Sequence, residues 1–188
     1  MATLQDLITR RFEDVRIFED GGISTVEFLE ASEGVVKLFD ILGSTAFYPK
    51  VRTKYKSDSE AFDTLQKIIA AEAATKDRTA TQGLLWLKRG LEMTAMGLKR
   101  NLLNKSEALS DSFTEAYNKT LMQFHNFIVK KMFGVAMLAC PNRETFYEKI
   151  GGNNYKVRDG LLEWVEALQN ILNQLNIFYA SGAYDKGL

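Results

Sequence analysis

The sequence predicts an all-α fold with several long helices. Only two of the 188 residues are proline, Pro49 and Pro141, so helices can run almost anywhere else in the chain. Apolar residues recur at three- and four-residue spacing over long stretches, which is the periodicity of helices with one buried face. The alternation typical of strands does not occur. These observations favour about seven helices, long enough to pack in two layers, in one domain over residues 1–188.

The helices are assigned in chain order. The first is expected over residues 2–17, and paired glycines at positions 21–22 end it. Ser24 or Thr25 can serve as the N-cap of the second helix. Glu27 lies three residues after Ser24, which is the spacing of a capping box. The remaining helices are expected near Lys50 and over residues 59–75, 79–103, 110–139 and 157–179. In the 110–139 helix one apolar stripe should face inward: Phe113, Tyr117, Leu121, Phe124, Ile128, Met132, Val135 and Ala139.

Charge and cysteine content exclude several classes of protein. The 24 basic and 24 acidic residues cancel, which argues against a nucleic-acid partner bound through broad phosphate neutralisation. Cys140 is the single cysteine, so no internal disulfide can form. The N-terminal segment lacks the apolar core of a signal peptide, and no stretch is long and apolar enough to span a bilayer. We therefore expect a cytoplasmic protein.

No enzymatic or metal-binding motif is present, so we expect no catalytic residues, no metal and no cofactor. His125 is the only histidine and lies beside an apolar face, where the ordinary interpretation is a core histidine bonded to a backbone carbonyl. A serine hydrolase would need a nucleophile elbow that the sequence lacks. A Cys140–His125 pair is excluded if their helix is straight, because fifteen residues then separate them by about 20 Å.

Trp86 interrupts a leucine-rich segment, residues 84–87, that is followed by Lys88 and Arg89. An indole ring can stack on the apolar face of a sugar, although ordinary core packing is the favoured interpretation of this pattern taken alone. The 12 phenylalanines and six methionines also have two interpretations. They either fill a core or line a tunnel for acyl chains.

Three segments together carry a specific resemblance. They are Glu27-Phe28-Leu29-Glu30-Ala31 leading into Leu38-Phe39-Asp40-Ile41-Leu42-Gly43-Ser44, then residues 80–92 (ATQGLLWLKRGLE), then residues 124–133 (FHNFIVKKMF). In this order and spacing the chain, from about residue 24 to 180, resembles the glycolipid transfer protein family, and its fungal members above all. The resemblance implies a two-layer all-α sandwich that encloses the acyl chains of a glycosphingolipid and carries it between membranes.

The resemblance also implies roles for individual residues. Trp86 would stack on the first sugar, where a ceramide-phosphate-binding branch of the family has arginine. His125 would hydrogen-bond the ceramide amide carbonyl, Lys50 would bind the headgroup, and Tyr184 would pack behind Trp86. The acyl pocket would include Phe39, Phe47, Leu91 and Phe133. Membrane contact, peripheral and transient, would involve Phe127, Lys130 and Lys131, and a ligand-dependent dimer is left open. For the lysine pair, a solvated helix face is the more ordinary interpretation.

One departure from the family pattern lies between Pro49 and Lys50. On the order of ten residues, roughly three helical turns, are absent there, including an aspartate and an asparagine that contact the headgroup in the family. Either the segment is deleted, or the printed sequence lacks residues that the protein has. We favour the second interpretation, because Pro49 joined directly to Lys50 leaves little room for a turn and a helix start.

Two functions of other classes remain alternatives. A lipid sensor would bind the same glycolipid and signal through a partner without efficient transfer. A lipid hydrolase would turn over its substrate and would place a serine near His125.

Overall fold

The computed structural model describes residues 10–38 and 48–188, and for residues 36–38 it describes the backbone alone. This part of the chain forms α-helices and no strand, with two isolated β-bridges, so the all-α class is confirmed. Two single-turn 3-10 helices, Phe12–Asp14 and Met122–Phe124, also occur. The helices are α1 (Thr25–Leu38), α2 (Tyr48–Ser57), α3 (Leu65–Ala73), α4 (Thr79–Leu103), α5 (Leu109–Lys119), α6 (Phe127–Leu138), α7 (Arg143–Lys149) and α8 (Tyr155–Ser181).

The described residues fall into two compact units. One comprises residues 89–169, and the other comprises residues 10–38, 48–88 and 170–188. The core of the first unit includes Leu91, Met93, Leu98, Phe113, Tyr117, Tyr147, Leu161, Trp164 and Leu168. The core of the second includes Phe28, Leu29, Leu65, Ile68, Ile69, Leu84, Leu87, Ile171 and Leu175. The expectation of one domain over the whole chain stays a prediction.

The start of the chain differs from the helix predicted over residues 2–17. Residues 10–17 form no α-helix and contain only the 3-10 turn Phe12–Asp14, while the earlier positions lie outside the described residues. The reason is a side chain on α1: the carboxylate of Glu27 accepts hydrogen bonds from the backbone nitrogen and the Nε of Arg16, both at 2.7 Å. These bonds fix Arg16 against α1 instead of in a helix of its own.

The same contact makes the predicted capping box wrong. Helix α1 begins at Thr25, close to the predicted start, but the carboxylate of Glu27 is occupied by Arg16. The backbone N–H of Ser24, which a capping box would direct to that carboxylate, donates instead to the carbonyl of Arg16 at 3.0 Å.

Helix α3 is also shorter than the predicted helix over residues 59–75. It begins at Leu65, where the Oγ1 of Thr64 accepts a hydrogen bond from the backbone nitrogen of Lys67 at 3.3 Å. Threonine is a favoured N-cap residue, so Thr64 marks the start of this helix in the sequence. The apolar periodicity alone placed the start too early.

The single helix predicted over residues 110–139 is two helices. Helix α5 ends at Lys119, and the hydroxyl of its C-cap residue Thr120 donates to the carbonyl of Ala116 at 2.7 Å. His125 is extended, and the Oδ1 of Asn126 caps α6 by accepting from the backbone nitrogen of Val129 at 3.0 Å. The straight-helix estimate of the Cys140–His125 separation therefore does not apply.

Helix α2 runs without interruption through Pro49 and Lys50. It starts at Tyr48, so Pro49 lies in the first turn, where a proline needs no N–H partner and its fixed φ suits a helix. The steric argument against joining these two residues is therefore wrong. Helix α2 packs on α1, and the hydroxyl of Tyr48 donates to the Oε2 of Glu33 at 3.3 Å.

Candidate functional site

Helix α4, which carries Trp86, is held at its first turn by buried polar contacts. The carboxylate of Glu72, on α3, accepts from the backbone nitrogens of Ala80 and Thr81 at 3.1 and 2.7 Å and from the hydroxyl of Thr81 at 2.8 Å. The hydroxyl of Tyr179 on α8 donates to the carbonyl of Thr81 at 2.8 Å. Unpaired N–H groups at a helix start favour a negative charge, so these contacts fix the position and direction of α4.

Trp86 lies on the least buried face of α4. Leu84, Leu85 and Leu87 beside it are buried, whereas Trp86 is only partly buried, as is Gln82 one turn earlier. Full burial in the core, the ordinary interpretation of the sequence pattern, is therefore not observed. A partly exposed indole on a fixed helix can offer a flat apolar platform to a ligand.

Two cationic residues follow Trp86 on α4, Lys88 and Arg89, and both are buried and contact other side chains. The Nζ of Lys88 lies 2.5 Å from the Oδ1 of Asn176 on α8. The guanidinium carbon of Arg89 lies 3.6 Å from the ring centroid of Phe124, the residue before His125. A guanidinium over an aromatic face is attracted by the ring quadrupole, so Arg89 helps to fix the turn that carries His125.

His125 lies between the 3-10 turn Met122–Phe124 and α6, and it is half-buried. Its Nδ1 is 3.1 Å from the hydroxyl of Tyr117 on α5. Burial lowers the pKa of His125, and the positive charge of Lys130 lowers it further. The imidazole is therefore neutral near pH 7, and its polar partner through Nδ1 is a tyrosine side chain, whereas the ordinary interpretation of the sequence expected a backbone carbonyl.

Lys50 and Tyr184 are the other two residues that the sequence predicts for the headgroup site. Lys50 lies in the first turn of α2 and is partly exposed. The ring of Tyr184 stacks on that of Phe178, with 5.2 Å between centroids. Its carbonyl accepts a hydrogen bond from Arg78, and its ring packs so closely over Gly182 that a Cβ there would collide with it.

Of the four residues predicted to line the acyl pocket, two lie in the described part of the chain. Leu91 is buried on α4, and the ring of Phe133 on α6 stacks face to face on Tyr117, with centroids 3.6 Å apart and planes 8° apart. Phe39 and Phe47 lie outside the described residues. The pocket assignment stays a prediction.

Helix α6 carries an exposed apolar face. None of its described residues is buried, and its exposed large apolar side chains range in exposure from 65% at Met132 to 86% at Leu138. Its half-buried edge, which includes Phe133, is the side that packs on α5. The prediction that the second half of the stripe faces inward is wrong for Phe124, Ile128, Met132, Val135 and Ala139, which are all exposed. The reason is that α6 is a separate helix, and among the described residues it packs on α5 along one edge. We name the exposed set the α6 face: Phe127, Ile128, Met132, Val135 and Leu138.

The basic residues predicted to contact a membrane lie at the start of the same helix. Lys130 and Lys131 are both exposed, and the Nζ of Lys131 lies 4.6 Å from the ring centroid of Phe127. The exposed apolar face and two cations thus occur on one helix. Among the described residues, no helix is long and apolar enough to cross a bilayer, and no group of three metal-ligating side chains occurs.

Comparison with known proteins identifies the family. The sequence model of the family described as glycolipid transfer protein (GLTP) matches residues 23–152, more than half of the chain. The chain belongs to the glycolipid transfer protein family. A protein of Aureobasidium melanogenum named glycolipid transfer protein is 43% identical over 189 positions, which cover 95% of this chain and 94% of that protein.

Solved structures confirm the glycolipid transfer protein fold that the resemblance implied. The crystal structure of HET-C2, a fungal glycolipid transfer protein, matches with a TM-score of 0.88 and 37% identity over 95% of this chain and 97% of that one. A structure of FAPP2 matches with a TM-score of 0.80 and 29% identity over 97% of each chain. FAPP2 is described as selecting simple glycosphingolipids by means of the same fold.

The comparison also bears on the number of residues that this chain lacks. The alignment with the Aureobasidium protein spans 189 positions but covers 95% of 188 residues, or about 179. Ten or so positions of that glycolipid transfer protein therefore have no residue in this chain, in agreement with the length that the motif comparison found missing.

Two parts of the site were not found from the sequence. Tyr117 was assigned to the core, and nothing in the apolar periodicity distinguishes its hydroxyl. The Arg89–Phe124 contact depends on the break before His125. Thr120 and the capping residue Asn126 were the signals of that break.

Proposed function

We propose that this protein binds a glycosphingolipid, a glycosylceramide, and transfers it between membranes. Membership of the glycolipid transfer protein family supports this function, as do relatives whose names and structures concern glycolipid transfer. These relatives are lipid carriers, so the protein is not an enzyme. The observation that carries the proposal to this chain is Trp86, a partly exposed indole on a helix whose start is fixed by Glu72.

The headgroup site we propose uses four residues. Trp86 stacks on the sugar, His125 bonds the ceramide amide, Lys50 donates to headgroup oxygens, and Tyr184 supports the indole. The neutral state of His125 supports its part, because a neutral imidazole needs no counter-ion when the lipid covers it. Such polar contacts supply selectivity among lipids.

The acyl chains would enter a pocket lined by Phe39, Phe47, Leu91 and Phe133. Transfer of an acyl chain from a bilayer into such a pocket moves it from one apolar medium to another. Burial of apolar surface in the protein therefore offsets its loss in the membrane.

We further propose that the α6 face contacts the membrane, with Phe127 inserted and with Lys130 and Lys131 near anionic headgroups. Exposed apolar patches of this kind mark interaction surfaces, and a nearby lysine adds about 1 kcal/mol of attraction to an anionic leaflet. The membrane contact that we propose is peripheral and transient. We also propose that the protein is cytoplasmic and that the chain acts as a single domain. Whether the protein dimerises when it binds its ligand is a further question to test.

The second candidate is a glycolipid sensor without efficient transfer. The absent aspartate and asparagine favour it, because losing a charge-assisted hydrogen bond costs about 1.5–3 kcal/mol, or one to two orders of magnitude in affinity. Release kinetics separate the two, since a sensor has no need to release its lipid readily.

The experiment that tests the proposal is transfer of a fluorescent glycosylceramide between vesicles, with the intact mass measured on the same sample. Rapid transfer at the 21.3 kDa of this sequence would show that the aspartate and asparagine are dispensable. Rapid transfer at a larger mass would mean that the protein has the headgroup segment. Binding without transfer at 21.3 kDa would support a sensor, and no binding would contradict both candidates.

A further inference from the structure

Tyr117, on α5, contacts the ring of His125 through both its hydroxyl and its own ring. The backbone of His125 is extended between a 3-10 turn and the capped start of α6, so no helix geometry dictates where its ring points. The hydroxyl of Tyr117 is 3.1 Å from Nδ1, and the two ring centroids are 5.6 Å apart.

Tyr117 is itself rigidly placed. It lies on α5, it is buried, and one face of its ring stacks on Phe133 with an angle of 8° between planes. A phenol fixed by its helix and by a stacked ring is a suitable support for a flexible imidazole, because the support loses no further freedom on bonding.

The direction of the Tyr117–His125 hydrogen bond follows from counting protons. Burial raises the pKa of Tyr117, so the phenol keeps its proton near pH 7. In the described part of the chain the hydroxyl has one hydrogen-bond partner, the Nδ1 of His125. The proton of a buried hydroxyl needs an acceptor, so O–H donates to Nδ1. A neutral imidazole that accepts at Nδ1 carries its own proton on Nε2.

We propose that Tyr117 is a positioning residue that fixes His125 in the Nε2–H tautomer, so that Nε2–H donates to the amide carbonyl of the bound lipid. This inference rests on the proposed function. The opposite tautomer would present a lone pair at Nε2, which suits the amide N–H and repels the carbonyl. Tyr117 thus selects which side of the ceramide amide His125 can bind.

The test uses the fact that His125 is the only histidine, so its ring nitrogen resonances need no assignment. Long-range 1H–15N correlation spectra of the lipid-free wild type should show the pattern of the Nε2–H tautomer. In Tyr117→Phe, which keeps the stacked ring and removes the hydroxyl, they should show a mixture of tautomers. An Nδ1–H tautomer in the wild type, or an unchanged tautomer in the variant, would overturn the proposal.

Transfer of glycosylceramide by the same variants tests the consequence. Tyr117→Phe should slow transfer roughly two- to tenfold, the value of one hydrogen bond to an uncharged partner. The matched control is Tyr147→Phe, since Tyr147 is also buried in this unit and its hydroxyl donates to the Oδ1 of Asn101 at 3.3 Å. This control should leave both the tautomer and the transfer rate unchanged.

An equal loss of transfer in Tyr147→Phe would overturn the proposal by assigning the effect to general destabilisation. So would unchanged transfer in Tyr117→Phe despite a mixed tautomer. Absence of transfer in the wild type would contradict the proposed function instead, and the spectra of the lipid-free protein would still report on the role of Tyr117.

Discussion

The carboxylate of Glu72 lies 2.7 Å from the backbone nitrogen of Thr81, and both groups are buried. Glu72→Gln replaces one acceptor oxygen with an NH2 group that cannot accept from these donors. We expect the free energy of unfolding to fall by about 1.5–3 kcal/mol, measured by urea denaturation. The control is Glu166→Gln, which breaks an exposed pair with Lys99 at 3.5 Å and should change stability by less than about 1 kcal/mol. Equal losses would show that the buried contact is not special.

Trp86→Ala should abolish glycosylceramide transfer and leave the helical content of the protein unchanged. Trp86 is only partly buried, so its truncation removes a platform for the ligand without opening the core. Fluorescent transfer and far-ultraviolet circular dichroism measure the two effects. Gln82→Ala, one turn earlier on the same face, is the control and should transfer normally. Normal transfer by Trp86→Ala would refute the role assigned to the indole.

Ile128→Ser should weaken binding to neutral phosphatidylcholine vesicles by roughly ten- to a hundredfold. Full burial of an isoleucine side chain is worth about 1.5–3 kcal/mol, and a serine forfeits it. Leu103→Ser is the matched control, because Leu103 and Ile128 are each 68% exposed but lie on different helices. Both variants should keep their unfolding free energy within about 0.5 kcal/mol. Equal weakening of vesicle binding would mean that the α6 face is not the contact surface.

The contact between Glu27 and Arg16 should make stability depend on pH. Burial acts to raise the pKa of Glu27, but two hydrogen bonds from Arg16 and the charges of Arg16 and Arg10 outweigh it, so the pKa lies below its ordinary 4.5. A carboxyl with a lowered pKa in the folded state stabilises the protein above the unfolded value. This contribution is lost as the pH falls through the folded value.

Glu27→Gln should therefore reduce the free energy of unfolding by about 1.5–3 kcal/mol at pH 7. The difference from the wild type should shrink once the pH drops below 4.5, and urea denaturation over this range measures it. Glu115→Gln, in an exposed pair with Lys119, should cost no more than about 0.5 kcal/mol at pH 7. A difference for Glu27→Gln that persists unchanged at low pH would contradict the assigned role of its charge.

The sequence was sufficient to predict the fold class and the family, and it failed where side chains compete with the backbone. Periodicity predicted α4 and α8 nearly to their ends. It joined α5 and α6, because their apolar residues stay in phase across a break that Thr120 and Asn126 create. Apolar periodicity depends only on the spacing of apolar residues, so it does not detect a side-chain oxygen that starts or ends a helix.

The same reasoning explains which parts of the site were predictable. Trp86 and His125 were named because a tryptophan among leucines and a lone histidine are visible in any sequence. The partner of His125 was not named, because Tyr117 lies eight residues earlier and meets it only after the chain has turned at Leu121. The exposure of Ile128 likewise depends on how α6 packs, and no local pattern encodes that.

The packing of α6 along one edge has a consequence for how the protein fluctuates. A helix held along one edge can open by breaking the contacts of that edge, including the stack of Phe133 on Tyr117, so its amide hydrogens should exchange with solvent sooner than those of α5. Such opening would change the surface next to Tyr117 while the rest of the fold stays intact. A bilayer could then select among shapes of α6 that already exist in solution, and lipid uptake would begin from that ensemble.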